Sequence, residues 1–149
     1  MKILVDADSC PRDARELTIK AARRKGLQAI FAANRPIPGI GGEFAMEICP
    51  PGDNSADNRI VELAEPGDLA VSRDVALAKR LLEKNVHVID DRGRVFTRDN
   101  INELLSLRDF AVGLAENNLG MVRTASYGKK ERKLFADSLD RQLTRVLRE

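Results

Sequence analysis

Short apolar runs alternate with amphipathic segments along the first two thirds of the chain. Five runs have the length and the apolar, partly β-branched content of strands, and they cover residues 3–5, 27–32, 44–48, 69–71 and 86–89. Between them, apolar residues recur at helical spacing from Pro11 to Gly26, over residues 56–64 and from Asp74 to Glu83. This alternation predicts parallel strands joined by helical crossovers, and therefore an α/β fold.

The last third of the chain is predicted to be helical apart from one connection. Thr97 follows a short extended piece over residues 94–96 and caps a helix that begins near residue 98, and residues 116–128 form a linker. The final helix runs from about Lys129 to Arg148. Its apolar stripe consists of Leu134, Phe135, Leu139, Leu143, Val146 and Leu147. We expect residues 1–149 to form one domain with a C-terminal helical extension from about residue 98.

Charge limits the class of partner without identifying one. The 149 residues include 25 basic and 23 acidic side chains, so a net charge of +2 provides no overall field that favours nucleic acid. Contact with phosphates would therefore need a local cluster of basic residues, and the chain contains one. The same cluster could instead be an ordinary solvated helix face. The cluster consists of Lys129, Lys130, Arg132 and Lys133.

The chain has none of the sequence features of a membrane or secreted protein. No stretch approaches the roughly 20 apolar residues of a membrane span, and the start is predicted to be a strand and not a signal peptide. Cys10 and Cys49 lack the CxxC spacing of a zinc site and are expected to be reduced thiols. These features predict a cytoplasmic protein without a membrane partner, and they leave the oligomeric state open.

Aspartates follow the predicted strands one after another. They are Asp6 and Asp8 after the first strand, Asp53 and Asp57 after the third, Asp74 after the fourth, and Asp90 and Asp91 after the fifth. Because the carboxyl ends of parallel strands share one edge of the sheet, four loops would bring these acids into one region. Carboxylates held together need protons or a cation, and oxygen-rich sites suit Mg²⁺ or Mn²⁺. The pattern therefore predicts a divalent metal site, whose natural chemistry is phosphodiester hydrolysis.

The same aspartates have a purely structural explanation. Asp is a preferred helix N-cap, and each of these acids precedes or starts a helix or a turn. Taken singly, capping explains Asp57 and Asp74 more simply than metal binding does, whereas the convergence of several acids favours a metal site. Asp6 is the strongest single case, because an acid that closes a buried strand is costly unless it is used.

Several short motifs resemble those of one bacterial family. The run Val5-Asp6-Ala7-Asp8-Ser9-Cys10-Pro11 looks like the opening signature of the uncharacterised YaiI/YqxD family. The motifs that follow in the family's order are Ala33-Asn34, Asp53, Ala56-Asp57-Asn58, Pro66-Gly67-Asp68-Leu69, Ser72-Arg73-Asp74, Arg92-Gly93, Leu107-Arg108-Asp109-Phe110 and the stretch from Arg132 through Phe135 to Leu139. The resemblance covers nearly the whole chain.

That family is similar to PIN-like domains, many of which are Mg²⁺- or Mn²⁺-dependent ribonucleases. The resemblance implies a three-layer, Rossmann-like fold with a mainly parallel central sheet flanked by helices. It also implies a metal site formed by Asp6, Asp57 and Asp74. The last acid of the site would be Asp90 or Asp91.

Three functions are compatible with the sequence. The first is a metal-dependent RNA phosphodiesterase with phosphate contacts from Asn34, Arg35 and Arg73. Its candidate catalytic residues are Asp6, Asp8, Asp57, Asp74 and Asp91, of which Asp8 or Asp91 would complete the metal shell or orient the water. The second is a non-catalytic module that binds RNA or a nucleotide in the same crevice, and the third is a partner-binding protein that uses its C-terminal helix. Metal dependence separates the first from the others, and RNA retention in EDTA separates the second from the third.

Overall fold

One sheet with helices on both faces makes up the described part of the chain. The computed structural model describes residues 1–40, 44–52, 54–116 and 126–148. The strands are β1 (Lys2–Asp6), β2 (Gln28–Ala33), β3 (Ala45–Ile48), β4 (Leu69–Val71), β5 (His87–Ile89) and β6 (Val95–Phe96). The helices are α1 (Arg12–Lys25), α2 (Ser55–Leu63), α3 (Val75–Glu83), α4 (Ile101–Glu116) and α5 (Lys129–Leu147).

The strand order reverses at the centre of the sheet. The order is β3-β2-β1-β4-β5-β6, in which β1 to β5 pair in parallel and β6 pairs antiparallel with β5. The chain therefore builds outward from β1 on one side and then crosses over to build outward from β4. Ligands of open α/β sheets bind at such a switch point. The predicted α/β class with a mainly parallel sheet is confirmed, and the extended piece near residue 95 adds a sixth strand.

Alternation along β1 divides the core into two layers. Ile3 and Val5 pack on the face covered by α1 and α5, whereas Leu4 packs on the face covered by α2 and α3. Because successive side chains of a strand point to opposite faces, Asp6 belongs to the α2/α3 side. The sheet thus fixes on which side of the molecule the first predicted acid lies.

Helix boundaries follow the predicted turn residues with two corrections. Gly26 ends α1 in the left-handed conformation at φ 65°, as a C-terminal glycine commonly does. Helix α2 begins at Ser55, one residue earlier than predicted, and its N-cap is Asn54. Helix α4 begins three residues later than expected, because Thr97 and Asn100 exchange hydrogen bonds at 2.9 and 3.1 Å and so form a turn ahead of the helix.

The apolar stripe of α5 is narrower than predicted. Leu134 and Leu147 are 47% and 44% exposed, while Ser138 and Gln142 are buried among the apolar residues of the stripe. The prediction was therefore wrong for these two leucines. Residues 117–125 of the predicted linker lie outside the described residues, and no helix within the described ranges is long and apolar enough to cross a membrane.

Helix α5 approaches the turn between β5 and β6 so closely that only glycine fits there. Gly93 has φ 90°, and a Cβ atom on it would lie 2.5 Å from the carbonyl oxygen of Leu134. We expect Gly93→Ala to lower the free energy of unfolding by about 2–4 kcal/mol, because strain at positive φ adds to the overlap with α5. Urea unfolding measures this loss.

Gly67→Ala is the matched control. Gly67 also has φ 90°, but a Cβ atom on it would meet nothing within 4 Å. This variant should lose only the backbone part, about 1–2 kcal/mol. Equal losses in the two variants would show that α5 does not press on the turn at Gly93.

Candidate functional site

A cleft of about 480 Å³ opens at the carboxyl edge of the sheet, beside β1 and β4. Its charged lining consists of the acids Asp6, Asp8, Asp57 and Asp74 and the arginines Arg73 and Arg108. Four of the predicted acids therefore share one cavity. The two arginines give the same cavity the means to bind an anionic group.

Two serine hydroxyls hold Asp6 in place. The carboxylate is only 6% exposed, and its Oδ2 atom accepts hydrogen bonds from Ser72 at 2.9 Å and from Ser9 at 3.0 Å. Burial raises the pKa of Asp6, the two hydroxyls lower it, and the charges of Asp74 and Asp8 raise it further.

Asp57 and Asp74 form a pair of carboxyl groups. Burial is the largest cause that raises the pKa of Asp57 to about 6, followed by the charges of Asp6 and Asp74 and a hydrogen bond with the Asp74 carboxyl. Repulsion between two neighbouring carboxylates favours a proton or a cation between them, so Asp57 keeps its proton up to about pH 6 and above that the pair favours a bound cation.

The structural explanation is confirmed for Asp74 as a helix N-cap, and for Asp57 only as an acid in a first helical turn, where it suits the helix dipole. The Oδ1 atom of Asp74 accepts hydrogen bonds from the backbone of Ala76 at 2.9 Å and Leu77 at 3.2 Å, which caps α3. Asp57 lies in the first turn of α2 and is not its N-cap. The backbone N–H of Asp74 also donates to Ser72 Oγ at 3.0 Å, so one hydroxyl links Asp6 to Asp74.

Asn34 lies on the wall of the cleft, and Arg35 does not. The backbone N–H of Asn34 donates to Asp8 Oδ2 at 2.8 Å, and its Oδ1 atom accepts from the Ser55 hydroxyl at 3.0 Å. These bonds connect the ends of β1, β2 and the start of α2. Arg35 is exposed outside the cleft lining.

Neither candidate for the last acid lines the cleft. Asp90 accepts backbone hydrogen bonds from Arg92 at 2.9 Å and Arg94 at 2.8 Å, which hold the β5–β6 turn. Asp91 is 3% exposed, and its Oδ2 atom lies 2.6 Å from a guanidinium nitrogen of Arg73. The structure thus places Asp91 behind Arg73 and not among the carboxylates, while Asp53 lies outside the described residues.

Three residues that shape the site were not predicted as site residues: Ser9 and Arg108 on the cleft lining, and the buried Ser72 behind it. Ser9 and Ser72 are the donors to Asp6, and the serine two residues before the capping Asp74 was a signal that could have been used. Arg108 reaches the cleft from α4, which packs against α3. Nothing in the local sequence indicates where α4 lies, so its arginine could not be placed without the tertiary fold.

The carboxylates of the cleft suit a metal ion that keeps most of its water better than an ion coordinated entirely by protein side chains. In the ranges that the structure describes, no three His, Cys, Asp or Glu side chains lie close enough together to enclose a metal ion. Mg²⁺ retains several waters and typically uses only one or two carboxylates, which the Asp57–Asp74 pair supplies. Burial raises the pKa of Cys10 to about 12, so this thiol stays protonated and is not a ligand.

The protein is of the α/β class, with an acidic cleft at the switch point of a mainly parallel sheet. Comparison with known protein families identifies its family. The model of the family described as "Uncharacterized BCR, YaiI/YqxD family" matches residues 4–145, and the chain belongs to this family. The resemblance expected from the opening motif is confirmed.

Two similar relatives match this chain over nearly their full length. A UPF0178 protein of Treponema denticola is 48% identical over 100% of this chain and 96% of its own length. A UPF0178 protein of Myxococcus xanthus is 39% identical over 99% of this chain and 97% of its own length. No solved structure gives a significant match to the chain.

The Asp57 pKa has a consequence for stability. Its value in the fold is about 6 against an ordinary 3.8, so between about pH 4 and pH 6 the folded protein keeps a proton that the unfolded chain has released. Stability should therefore fall as the pH rises through this window. For a fully buried group the difference would be roughly 3 kcal/mol, and for this half-buried carboxyl we expect about 1 kcal/mol.

Asp57→Asn should flatten part of this dependence. Urea unfolding should show that the free energy of unfolding of the variant, relative to that of the wild type, is higher by about 1 kcal/mol at pH 7 than at pH 4. Asp137→Asn, which alters an exposed acid on α5, should keep the wild-type dependence. The same pH dependence in the wild type and in Asp57→Asn would contradict the paired arrangement.

Proposed function

We propose that this protein is a divalent-cation-dependent ribonuclease with a PIN-like domain, and that its cleft hydrolyses phosphodiester bonds of RNA. The observation that carries the proposal is the Asp57–Asp74 carboxyl pair beside Asp6 at the switch point of the sheet. Carboxyl groups held together at a cost in stability are characteristic of functional sites. The PIN-like relationship is proposed from the sequence resemblance together with the mainly parallel sheet.

Asp57 and Asp74 would hold Mg²⁺ or Mn²⁺, and the neighbouring Asp6 carboxylate would accept a hydrogen bond from the water on the ion. When bound, such an ion supplies an activated water and neutralises charge on the phosphate. The chain's own contribution is to keep the three carboxylates in place. Asp74 is fixed by its cap on α3, and Asp6 is fixed by two hydroxyls.

The arginines would bind and orient the phosphate. Arg73 lines the cleft and pairs with buried Asp91, whose hydrogen bond raises the pKa of Arg73. Because Asp91 fixes the guanidinium group from behind, it acts as a positioning residue. Arg108 would approach the same phosphate from α4. Asp8 is exposed and hydrogen-bonded to Asn34, and it would accept a proton from the attacking water.

One observation favours the alternative of a non-catalytic module that binds RNA or a nucleotide. Within the described residues no three-ligand group is close enough to enclose an ion. A binding module needs only the arginines and the polar walls of the cleft. The two functions differ in their response to EDTA, which abolishes cation-dependent cleavage and leaves arginine contacts intact.

Cation binding should stabilise the fold. Millimolar Mn²⁺ or Mg²⁺ should raise the Tm of the wild type by about 4 °C for an ion at ten times its Kd, because the ion binds only the folded state. Thermal melts of Asp57→Asn should show little or no shift, whereas Asp137→Asn should shift as the wild type does. A wild type that responds to neither ion would leave these acids without a cation.

Cleavage should depend on the charge of the cleft acids. Asp6→Asn and Asp74→Asn should each lower Mn²⁺-dependent cleavage of single-stranded RNA by about 100-fold or more, since even the outer partners of metal ligands cost about 10- to 100-fold. Asparagine is as good an N-cap as aspartate, so Asp74→Asn keeps α3 capped and removes only the charge. Gel assays of labelled RNA measure the rate.

Asp137→Asn is the control for cleavage and should retain full activity. If wild type and Asp6→Asn degrade RNA equally, the activity comes from a contaminant and the ribonuclease proposal is wrong. If neither cleaves and both bind RNA in EDTA, the binding module replaces it.

A further inference from the structure

The first turns of α5 carry cations where the helix disfavours them. The residues are Lys129, Lys130, Arg132 and Lys133, all exposed. A helix has a partial positive charge at its N-terminus, so cations are unfavourable there and anions are favourable. Arg141, Arg145 and Arg148 lie toward the opposite end of the same helix, where its dipole favours them. The N-terminal cations therefore have no explanation in the stability of α5.

Three of these cations also lack acidic partners. Lys129, Arg132 and Lys133 form no ion pair with any residue in the described ranges. The acid nearest in sequence, Glu131, accepts a hydrogen bond from the Gly128 N–H at 3.0 Å and lies 3.6 Å from Arg92. The charge of these three side chains is thus left available to a ligand.

The same three side chains line a shallow pocket on the surface. A pocket of about 230 Å³ lies between α1 and α5, and its lining consists of Lys129, Arg132, Lys133, Leu17 and Ala136. Its cationic groups suit a phosphate, and the apolar surface of Leu17 and Ala136 suits a sugar or base attached to it. The unpaired charge of the three side chains therefore lies around a shallow depression that has both cationic and apolar lining.

We infer that this pocket binds the phosphate backbone of single-stranded RNA, outside the acidic cleft. The inference rests on the proposed function for the choice of RNA as the polyanion. Asp6 belongs to the α2/α3 side of the sheet, whereas the pocket lies on the α1/α5 side, so one strand must pass around the edge of the sheet to reach both. The site should therefore matter for RNA of several nucleotides and not for a dinucleotide.

An anionic membrane fits this surface less well. A helix that lies in a membrane interface inserts its apolar face, but Phe135, Leu139 and Leu143 of α5 are buried against the sheet. Only the charges and scattered apolar side chains would meet the lipid. A flexible polyanion that follows a groove suits a concave cationic pocket better.

The test is RNA binding by the full chain in EDTA, where the cleft cannot use a cation. The triple variant Lys129→Ala, Arg132→Ala and Lys133→Ala should bind a labelled single strand of about ten nucleotides at least about tenfold more weakly at low salt. The slope of log affinity against log salt should become shallower by about 2, since each lost phosphate contact removes about 0.7 for single strands. Fluorescence anisotropy across a salt series measures both.

The matched control removes the same charge from the same helix. The triple variant Arg141→Ala, Arg145→Ala and Arg148→Ala should keep the wild-type slope. The Tm separates binding from folding: the Lys129, Arg132 and Lys133 triple should melt at or above the wild-type temperature, because it removes cations from the positive end of α5. A lower Tm in that triple would assign these residues a structural role and overturn the inference.

The remaining outcomes distinguish the pocket from the cleft. An unchanged slope in the Lys129, Arg132 and Lys133 triple overturns the pocket even if wild type cleaves RNA. If Asp6→Asn loses cleavage but still binds RNA in EDTA, this result supports the pocket and the cleft as separate sites. A wild type that binds no RNA at low salt, or a triple that loses only its binding to phosphatidylserine vesicles, overturns the assignment to RNA.

Discussion

The contact between the carboxyl groups of Asp57 and Asp74 is the interaction on which the account of this site depends. The fold holds the two acids together: α3 needs Asp74 as its N-cap, and α2 brings Asp57 to the same cleft from its first turn. Ser72 fixes Asp6 next to them with a single hydroxyl group. Asp74 cannot turn away without losing its cap on α3, so a proton or a cation is the natural relief for the repulsion between the two carboxylates.

Basic side chains lie in two places relative to these acids, one inside the cleft and one on the other side of the sheet. Inside the cleft, Arg73 is held by Asp91 at 2.6 Å, so a buried acid fixes the direction of a partly exposed base. On the other side of the sheet, the cations at the start of α5 surround a separate pocket. An acidic cleft repels a polyanion at a distance, and a cationic surface away from it would offset that repulsion during binding. The two sites together would suit a long, flexible anionic substrate.

The strands, the crossovers and the position of most acids could be predicted from periodicity alone. Residues 69–71 were predicted and observed as a strand, and Asp6, Asp57 and Asp74 reach one cleft because parallel strands share their carboxyl edge. What failed depends on tertiary contacts. Leu134 was assigned to the core because helical spacing does not indicate how wide a face the neighbouring helix covers. Asp91 was predicted to be a residue of the acidic site because the sequence does not show that it forms a salt bridge with Arg73. Arg108 was missed because the packing of α4 on α3 places it.

The most direct test of the central claim is a crystal structure of the protein soaked in Mn²⁺, with the ion located by its anomalous scattering. One Mn²⁺ should lie between Asp57 and Asp74, with carboxylate oxygens at about 2 Å and water at most of its remaining positions. Asp6 should lie beside it, and Asp91 should remain paired with Arg73. A Mn²⁺ ion bound elsewhere, with Asp57 and Asp74 still hydrogen-bonded to each other as a protonated pair, would contradict the claim that the fold keeps these acids together to bind a cation.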